Sequence, residues 1–143
     1  MKIAMASDHG GLDLKNRVKQ YIEECGHQVV DFGTYTADSC DYPDFARPCA
    51  EAVANGSCER GIVVCTTGIG VSIVANKVKG VRCALCTNSD MATMTRRHNN
   101  ANVLAMGQRY VDFDTAKQIV KAFLSTPFDG GRHQRRVDKI ETL

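Results

Sequence analysis

The 143-residue chain has no tryptophan, three prolines and few other aromatics, four tyrosines and five phenylalanines. It has no long apolar run: nothing approaches the ~20 consecutive apolar residues that span a bilayer, which argues against a membrane protein. It has no large charge of either sign. Eighteen Lys and Arg against sixteen Asp and Glu leave a net charge of +2, so the chain as a whole makes no electrostatic case for nucleic acid. The basic residues that do cluster, Arg132, Arg135, Arg136 and Lys139, have no aromatics interleaved among them, unlike a surface on which bases stack. There is no internal repeat, no low-complexity segment and no linker. Met1-Lys2-Ile3-Ala4 runs straight into a strand pattern, not into a signal peptide.

What is present is ordinary globular material, 43% apolar and 24% charged, enough for one domain over residues 1–143 with its own core. Seven cysteines, an odd number, with no secretion signal predict reduced thiols in a cytoplasmic protein. Cys25, Cys49, Cys58, Cys83 and Cys86 read as small buried hydrophobes. Cys83-Ala84-Leu85-Cys86 is a C-x-x-C, but it lies in a strand-like run and no second pair follows, so no metal is expected.

Strand and helix patterns alternate from end to end. Strands are predicted at Ile3–Ala6, Val29–Val30, 61–65, Val81–Cys86 and Val103–Met106. Between them lie helical faces: Leu14, Val18, Tyr21, Ile22 and Cys25; then Tyr42, Phe45, Ala46, Cys49, Ala50 and Val53. Asp41, with Pro43 in the first turn, is expected to open this second helix. Further helices are predicted over Ile69–Lys77, Asn88–Arg97 and around Ala116–Leu124. Pro127 and Gly130-Gly131 break the chain before a short basic helix at 132–141. Apolar strands each followed by a helix predict a doubly wound, Rossmann-like α/β domain: five parallel strands, helices on both faces and an extra C-terminal helix. Ligands in such sheets bind beyond the strand carboxyl ends where the winding reverses, expected here between the first and third strands. That brings Ser7-Asp8-His9-Gly10-Gly11 beside Cys65-Thr66-Thr67-Gly68-Ile69-Gly70.

The second of these loops carries the most chemistry. A cysteine at a glycine turn into a helix sits beside amide N–H groups and the positive end of a helix dipole, and both favour a thiolate. Cys65 is thus either a buried strand-end thiol or a base or nucleophile, and the turn favours the second. Thr66 and Thr67 fit helix caps and ligand contacts equally; Gly68 and Gly70 permit the turn and let the amides from 66 to 70, Ile69 included, converge on an oxyanion. No lysine follows the glycines, so this is no Walker loop. Val71 stands where a cysteine phosphatase would need arginine. Asp8 and His9 can accept a sugar hydroxyl and donate to a phosphate, or merely cap a turn. Arg96-Arg97-His98-Asn99-Asn100 is open between a solvated helix end and a site with His98 as general acid. Arg132 and Arg136, four apart on one helical face, suit a phosphate clamp or a solvated tail; Arg109 is a weaker candidate for the same work.

Together these segments, with Asp41-Tyr42-Pro43, Ala75-Asn76-Lys77, His98-Asn99-Asn100-Ala101-Asn102-Val103 and Gly130 to Arg136, resemble ribose-5-phosphate isomerases of the B type, in the family that also holds galactose-6-phosphate isomerase. The resemblance implies an aldose–ketose isomerase that interconverts ribose 5-phosphate and ribulose 5-phosphate without a metal or organic cofactor. It implies Cys65 as the base, and the amides of 66–70 as the enediolate's oxyanion hole. Thr67 and Asn99 would lie on sugar oxygens, and His98 with Asp8 would open the ring. His9, Arg109, Arg132 and Arg136 would hold the phosphate. Some relatives place a carboxylate where Val71 stands, and its absence here supports cysteine as the base. The resemblance also implies a homodimer, with a dimer of dimers as a further form, in which His98, Asn99 and Arg109 reach into the partner's site. A six-carbon substrate such as allose 6-phosphate, a non-catalytic phosphosugar sensor and a thiol-dependent phosphatase are the rival readings.

Overall fold

Every apolar run finds a place in one sheet of a computed structural model that describes residues 1–143. The strands are Lys2–Ser7 (β1), Gln28–Asp31 (β2), Arg60–Cys65 (β3), Cys83–Leu85 (β4) and Val103–Gly107 (β5). All pair in parallel, in the order β2-β1-β3-β5-β4. The winding reverses between β1 and β3, as the sequence predicts. β5 then inserts between β3 and β4, leaving β4 at the edge with one partner. This is why the strand expected over Val81–Cys86 shrinks to three residues: beyond Leu85 only Cys86 N–H still reaches β5, donating to Ala105 O at 3.1 Å.

The helices are Leu12–Glu24 (α1), Pro43–Ala54 (α2), Ile69–Asn76 (α3), Ser89–Met94 (α4), Phe113–Ser125 (α5) and Arg132–Glu141 (α6). Alternate strand residues feed two cores. Ile3, Met5, Ile62, Val64, Leu104 and Met106 pack with α1, α4 and α5 around Ile119 and Phe123. Ala4, Ala6, Val63, Cys65, Val103 and Ala105 face α2 and α3. The second core is built of small side chains on both sides, Ala46, Cys49 and Ala50 among them. Fully burying each large residue of the first core stabilises by roughly 1.5–3 kcal/mol.

Three expectations need correction. Asp41 does not cap α2: Tyr42 holds the cap position with no side-chain bond, and Asp41 contributes only its carbonyl, which accepts from Asp44 N–H at 3.1 Å. The helix expected over Asn88–Arg97 stops at Met94 and becomes a π-helical turn, Thr95–Asn99, closed by Asn100 at φ 48°. The cause is Arg96, which is buried and donates to Thr126 O at 3.2 Å, Asn100 Oδ1 at 2.9 Å and Ala101 O at 2.6 Å. Finally, all seven cysteines are free, but Cys25 is exposed where α1 ends and Cys83 is half-buried on the edge strand; Cys49, Cys58 and Cys86 are buried as expected. No helix is long and apolar enough to cross a membrane.

Candidate active site

The residues singled out from the sequence separate into two groups at opposite ends of the sheet. At the carboxyl ends of the strands, β1 and β3 deliver their loops side by side. Asp8 N–H donates to Val64 O at 3.3 Å, and the Asp8 carboxylate accepts from Gly11 N–H at 3.1 Å, capping the short turn His9–Gly11. A methyl on Gly10 would overlap the Thr66 hydroxyl, and one on Gly11 would lie 2.7 Å from the Val64 carbonyl. Glycine is required at Gly11 because one backbone lies directly on the other there, whereas at Gly10 it makes room for the Thr66 side chain.

Cys65 ends β3 with 5% of its surface exposed. Its sulfur accepts from Gly68 N–H at 3.1 Å. That bond depends on Gly68 at φ 78°, where an added methyl would lie 2.6 Å from the Leu85 side chain and 2.8 Å from the Met106 backbone. No β-carbon fits there, and L side chains rarely adopt that φ. The Thr67 hydroxyl accepts from Ile69 N–H at 3.3 Å. The loop is then locked to β5: Gln108 N–H donates to Cys65 O and Arg109 N–H to Thr66 O, both at 2.9 Å. So Arg109 starts from the same end of the sheet as Cys65. Elsewhere in the fold, burial pushes the Cys86 thiol up to about 11 and those of Cys49 and Cys83 higher still.

Two neighbours of this site had no functional role assigned from the sequence. The Tyr42 ring lies against Gly70, where a methyl would meet it at 2.7 Å. Cys40 N–H donates to His9 Nδ1 at 3.2 Å, which leaves Nε2 as the nitrogen of His9 that carries a proton in the neutral ring. Cys40 carries no periodicity or spacing signal, and the helical period that marks Tyr42 places it on a helix face without pointing to Gly70; both contacts are decided only in three dimensions.

The second group lies at the amino ends. His98 and Asn99 sit in the π-helical turn before β5. Arg82, just ahead of β4, donates to Asn99 O at 3.1 Å and to Asn100 O at 2.8 Å, and pairs with Glu141 of α6 at 2.7 Å. α6 carries Arg132 and Arg136, and its His133 stacks on His98. A strand of five or six residues is about 17–20 Å long. His98, Asn99, Arg132 and Arg136 are therefore a sheet's height away from Cys65 in the same chain. In this second group the Arg97 guanidinium, 3.1 Å from Asp129, holds that carboxyl below its usual range. Burial, then His98, Arg132 and Arg136, hold His133 below the usual imidazole value, against the pull of Asp129. His98, Asp129 and His133 offer ligand atoms within 4.8 Å of one another, but Asp129 is engaged by Arg97 and the two α6 arginines oppose a cation.

A family model of ribose/galactose isomerases matches residues 3–140. The chain belongs to the ribose/galactose isomerase family. Among ribose/galactose isomerases of known structure, ribose-5-phosphate isomerase B of Clostridium thermocellum superposes with a TM-score of 0.98 at 54% identity, over 99% of this chain and 96% of that one. Ribose-5-phosphate isomerase B of Mycoplasma genitalium, solved with bound ribulose-5-phosphate, gives 0.95 at 45% identity, over 99% and 94%. Ribose-5-phosphate isomerase B of Escherichia coli is 44% identical over 142 residues, 99% of this chain and 95% of that protein.

Proposed function

We propose that this chain is an aldose–ketose isomerase that interconverts D-ribose 5-phosphate and D-ribulose 5-phosphate, working in the cytosol as a homodimer with shared sites. The observation that carries the chemistry is the Cys65 sulfur, almost buried at the sheet's carboxyl edge and facing an amide donor 3.1 Å away. After His98 protonates the ring oxygen and Asp8 assists at the anomeric hydroxyl, the sugar is open. The Cys65 thiolate then takes the C2 hydrogen as a proton. The bonding pair becomes the C1=C2 bond, and negative charge moves to O1, held by the amides of Thr66 to Gly70. The proton returns to C1 and the O2 proton passes to O1, leaving the ketone at C2. Thr67 and Asn99 hold sugar oxygens; His9, Arg109, Arg132 and Arg136 hold the phosphate. A proton moves within one molecule, so the balance needs no external oxidant or reductant.

What supports the dimer is the separation of the two groups. One chain cannot bring its own His98 to the sugar held at its own Cys65, but a second copy, turned end for end, can. α3 supports the same reading: it is apolar on nearly every side, and Ile69 and Ile73 are 50% and 57% exposed beside the site. Such a face is normally covered.

The test is ketose formation from ribose 5-phosphate, run beside allose 6-phosphate and galactose 6-phosphate. Cys65→Ser should lose at least ~100-fold in turnover and still bind the sugar phosphate. Near-normal turnover by that variant would remove Cys65 as the base; faster turnover of allose 6-phosphate would move the substrate to six carbons. Mixing inactive Cys65→Ser with inactive His98→Asn should restore about a quarter of wild-type activity, because half the dimers are mixed and each has one intact site. No recovery would exclude shared sites.

A further inference from the structure

His133 has no role in the mechanism above, yet it is the buried partner of a residue that does. The rings of His98 and His133 are stacked, with centroids 4.2 Å apart and planes 10° from parallel. His98 comes from the π-helical turn and His133 from the first turn of α6. The charged groups around the pair come from every element packed on it: Arg97 from the π-helical turn, Asp129 from the loop before α6, and Arg132 and Arg136 from α6 itself. The Asp129 carboxylate is already held by Arg97, whose Nη2 and Nε lie 3.1 Å and 3.2 Å from it. It is therefore poorly placed to stabilise a second cation on His133.

Two imidazolium rings at this spacing repel, and the arginines add to the repulsion. A neutral ring beneath a charged one attracts it through its π face. Two protons on the pair are therefore disfavoured, and the buried ring with two arginines on its own helix is the one held neutral. A histidine alone on a turn would turn freely about two side-chain torsions. One pinned against a flat, buried ring has its plane fixed.

We propose that His133 is a positioning residue for His98: its ring is a flat platform that fixes the plane of the His98 imidazole, so that His98, the group that opens the sugar ring, meets the ring oxygen in one orientation. The inference rests on the isomerase reading. It also gives Arg132 and Arg136 a second effect beside holding phosphate, because their charge opposes a proton on the platform.

The experiment compares His133→Phe, His133→Ala and His133→Arg. Phenylalanine keeps a flat neutral face; alanine removes it; arginine puts a fixed cation there. Turnover of ribose 5-phosphate should fall about two- to threefold in His133→Phe and at least thirtyfold in the other two. The second readout is exchange of the C1 hydrogen of ribulose 5-phosphate with heavy water. This ketose has its O5 esterified and cannot close a furanose, so exchange reports proton transfer without ring opening. It should stay within about threefold of wild type in all three variants. Equal losses in turnover and exchange would reduce His133 to a folding role and overturn the proposal. So would His133→Phe as inactive as His133→Ala, which would make His133 itself the proton donor, or His133→Ala as active as wild type. A third readout needs no substrate: the ring-current shift of the His98 protons, seen by NMR in wild type and His133→Phe and lost in His133→Ala. If wild type makes no ketose, the isomerase reading fails, and this shift still reports whether the platform exists.

Discussion

The two ends of the sheet are built by different means. The carboxyl end is made of main chain. Gly11, Gly68 and Gly107 let backbones lie on one another, and the Cys65 loop is held by amide bonds from Gln108 and Arg109. The amino end is made of long side chains. Arg82 and Arg96 reach carbonyl oxygens of the π-helical turn and its surroundings, and Arg97 holds Asp129. Stabilising a negative enediolate needs fixed dipoles that do not reorganise, and main chain supplies them. Gripping a phosphate and delivering a proton needs charge and a titratable ring, which only side chains supply.

The comparison can be broken first at the main-chain end. Gly107→Ala places a methyl about 2.4 Å from the Thr67 backbone, which cannot give way without moving the Cys65 loop. It should cost about 3 kcal/mol, read as a lower denaturant midpoint, with ketose formation down by on the order of 100-fold from misplacement alone. Arg96→Met attacks the other end. It leaves Thr126 O, Ala101 O and the Asn100 side chain without their donor, at a cost of about 2 kcal/mol. Turnover of ribose 5-phosphate should drop while C1 exchange on ribulose 5-phosphate survives. If exchange drops as far, the two ends are not separable in function.

Smaller changes sharpen the contrast. Gly130, at φ 69° before α6, has nothing within reach of an added methyl. Gly130→Ala should therefore cost only the backbone term, about 1 kcal/mol, and a loss as large as that of Gly107→Ala would show that crowding is not confined to the carboxyl end. The smallest effect is in pH. His133 titrates below the ordinary 6.5 in the folded chain, so the unfolded chain binds its proton more readily. Its contribution is complete above about pH 6.5 and is lost as pH falls through the lower folded value. Thermal melts between pH 8 and 5 should fall less steeply in His133→Phe than in wild type; parallel curves would remove His133 as the source.

Much of this was legible in the sequence. The apolar runs and their 3.6-residue partners announced the sheet and its covering helices. The glycines around Cys65, and Gly130-Gly131 before α6, marked their turns because few other residues tolerate them. What failed was local: Asp41 as a cap, the full length of β4 and an unbroken helix from Asn88. In two of these a tertiary contact outweighed a short-range preference: β4 was left with one neighbour, and Arg96 drew carbonyls from 5 and 30 residues away; at Asp41 the cap position simply falls one residue later, on Tyr42.

The order of residue types therefore determined the architecture and which side chains could do chemistry, since periodicity and turn propensity are properties of a few neighbouring residues. Only the folded chain decided which of them meet. A helix returns antiparallel to its strand, so residues close in any list of candidates, Cys65 and His98, finish at opposite edges of one sheet. The stacking of His98 on His133, thirty-five positions apart, likewise has no trace in the spacing of either.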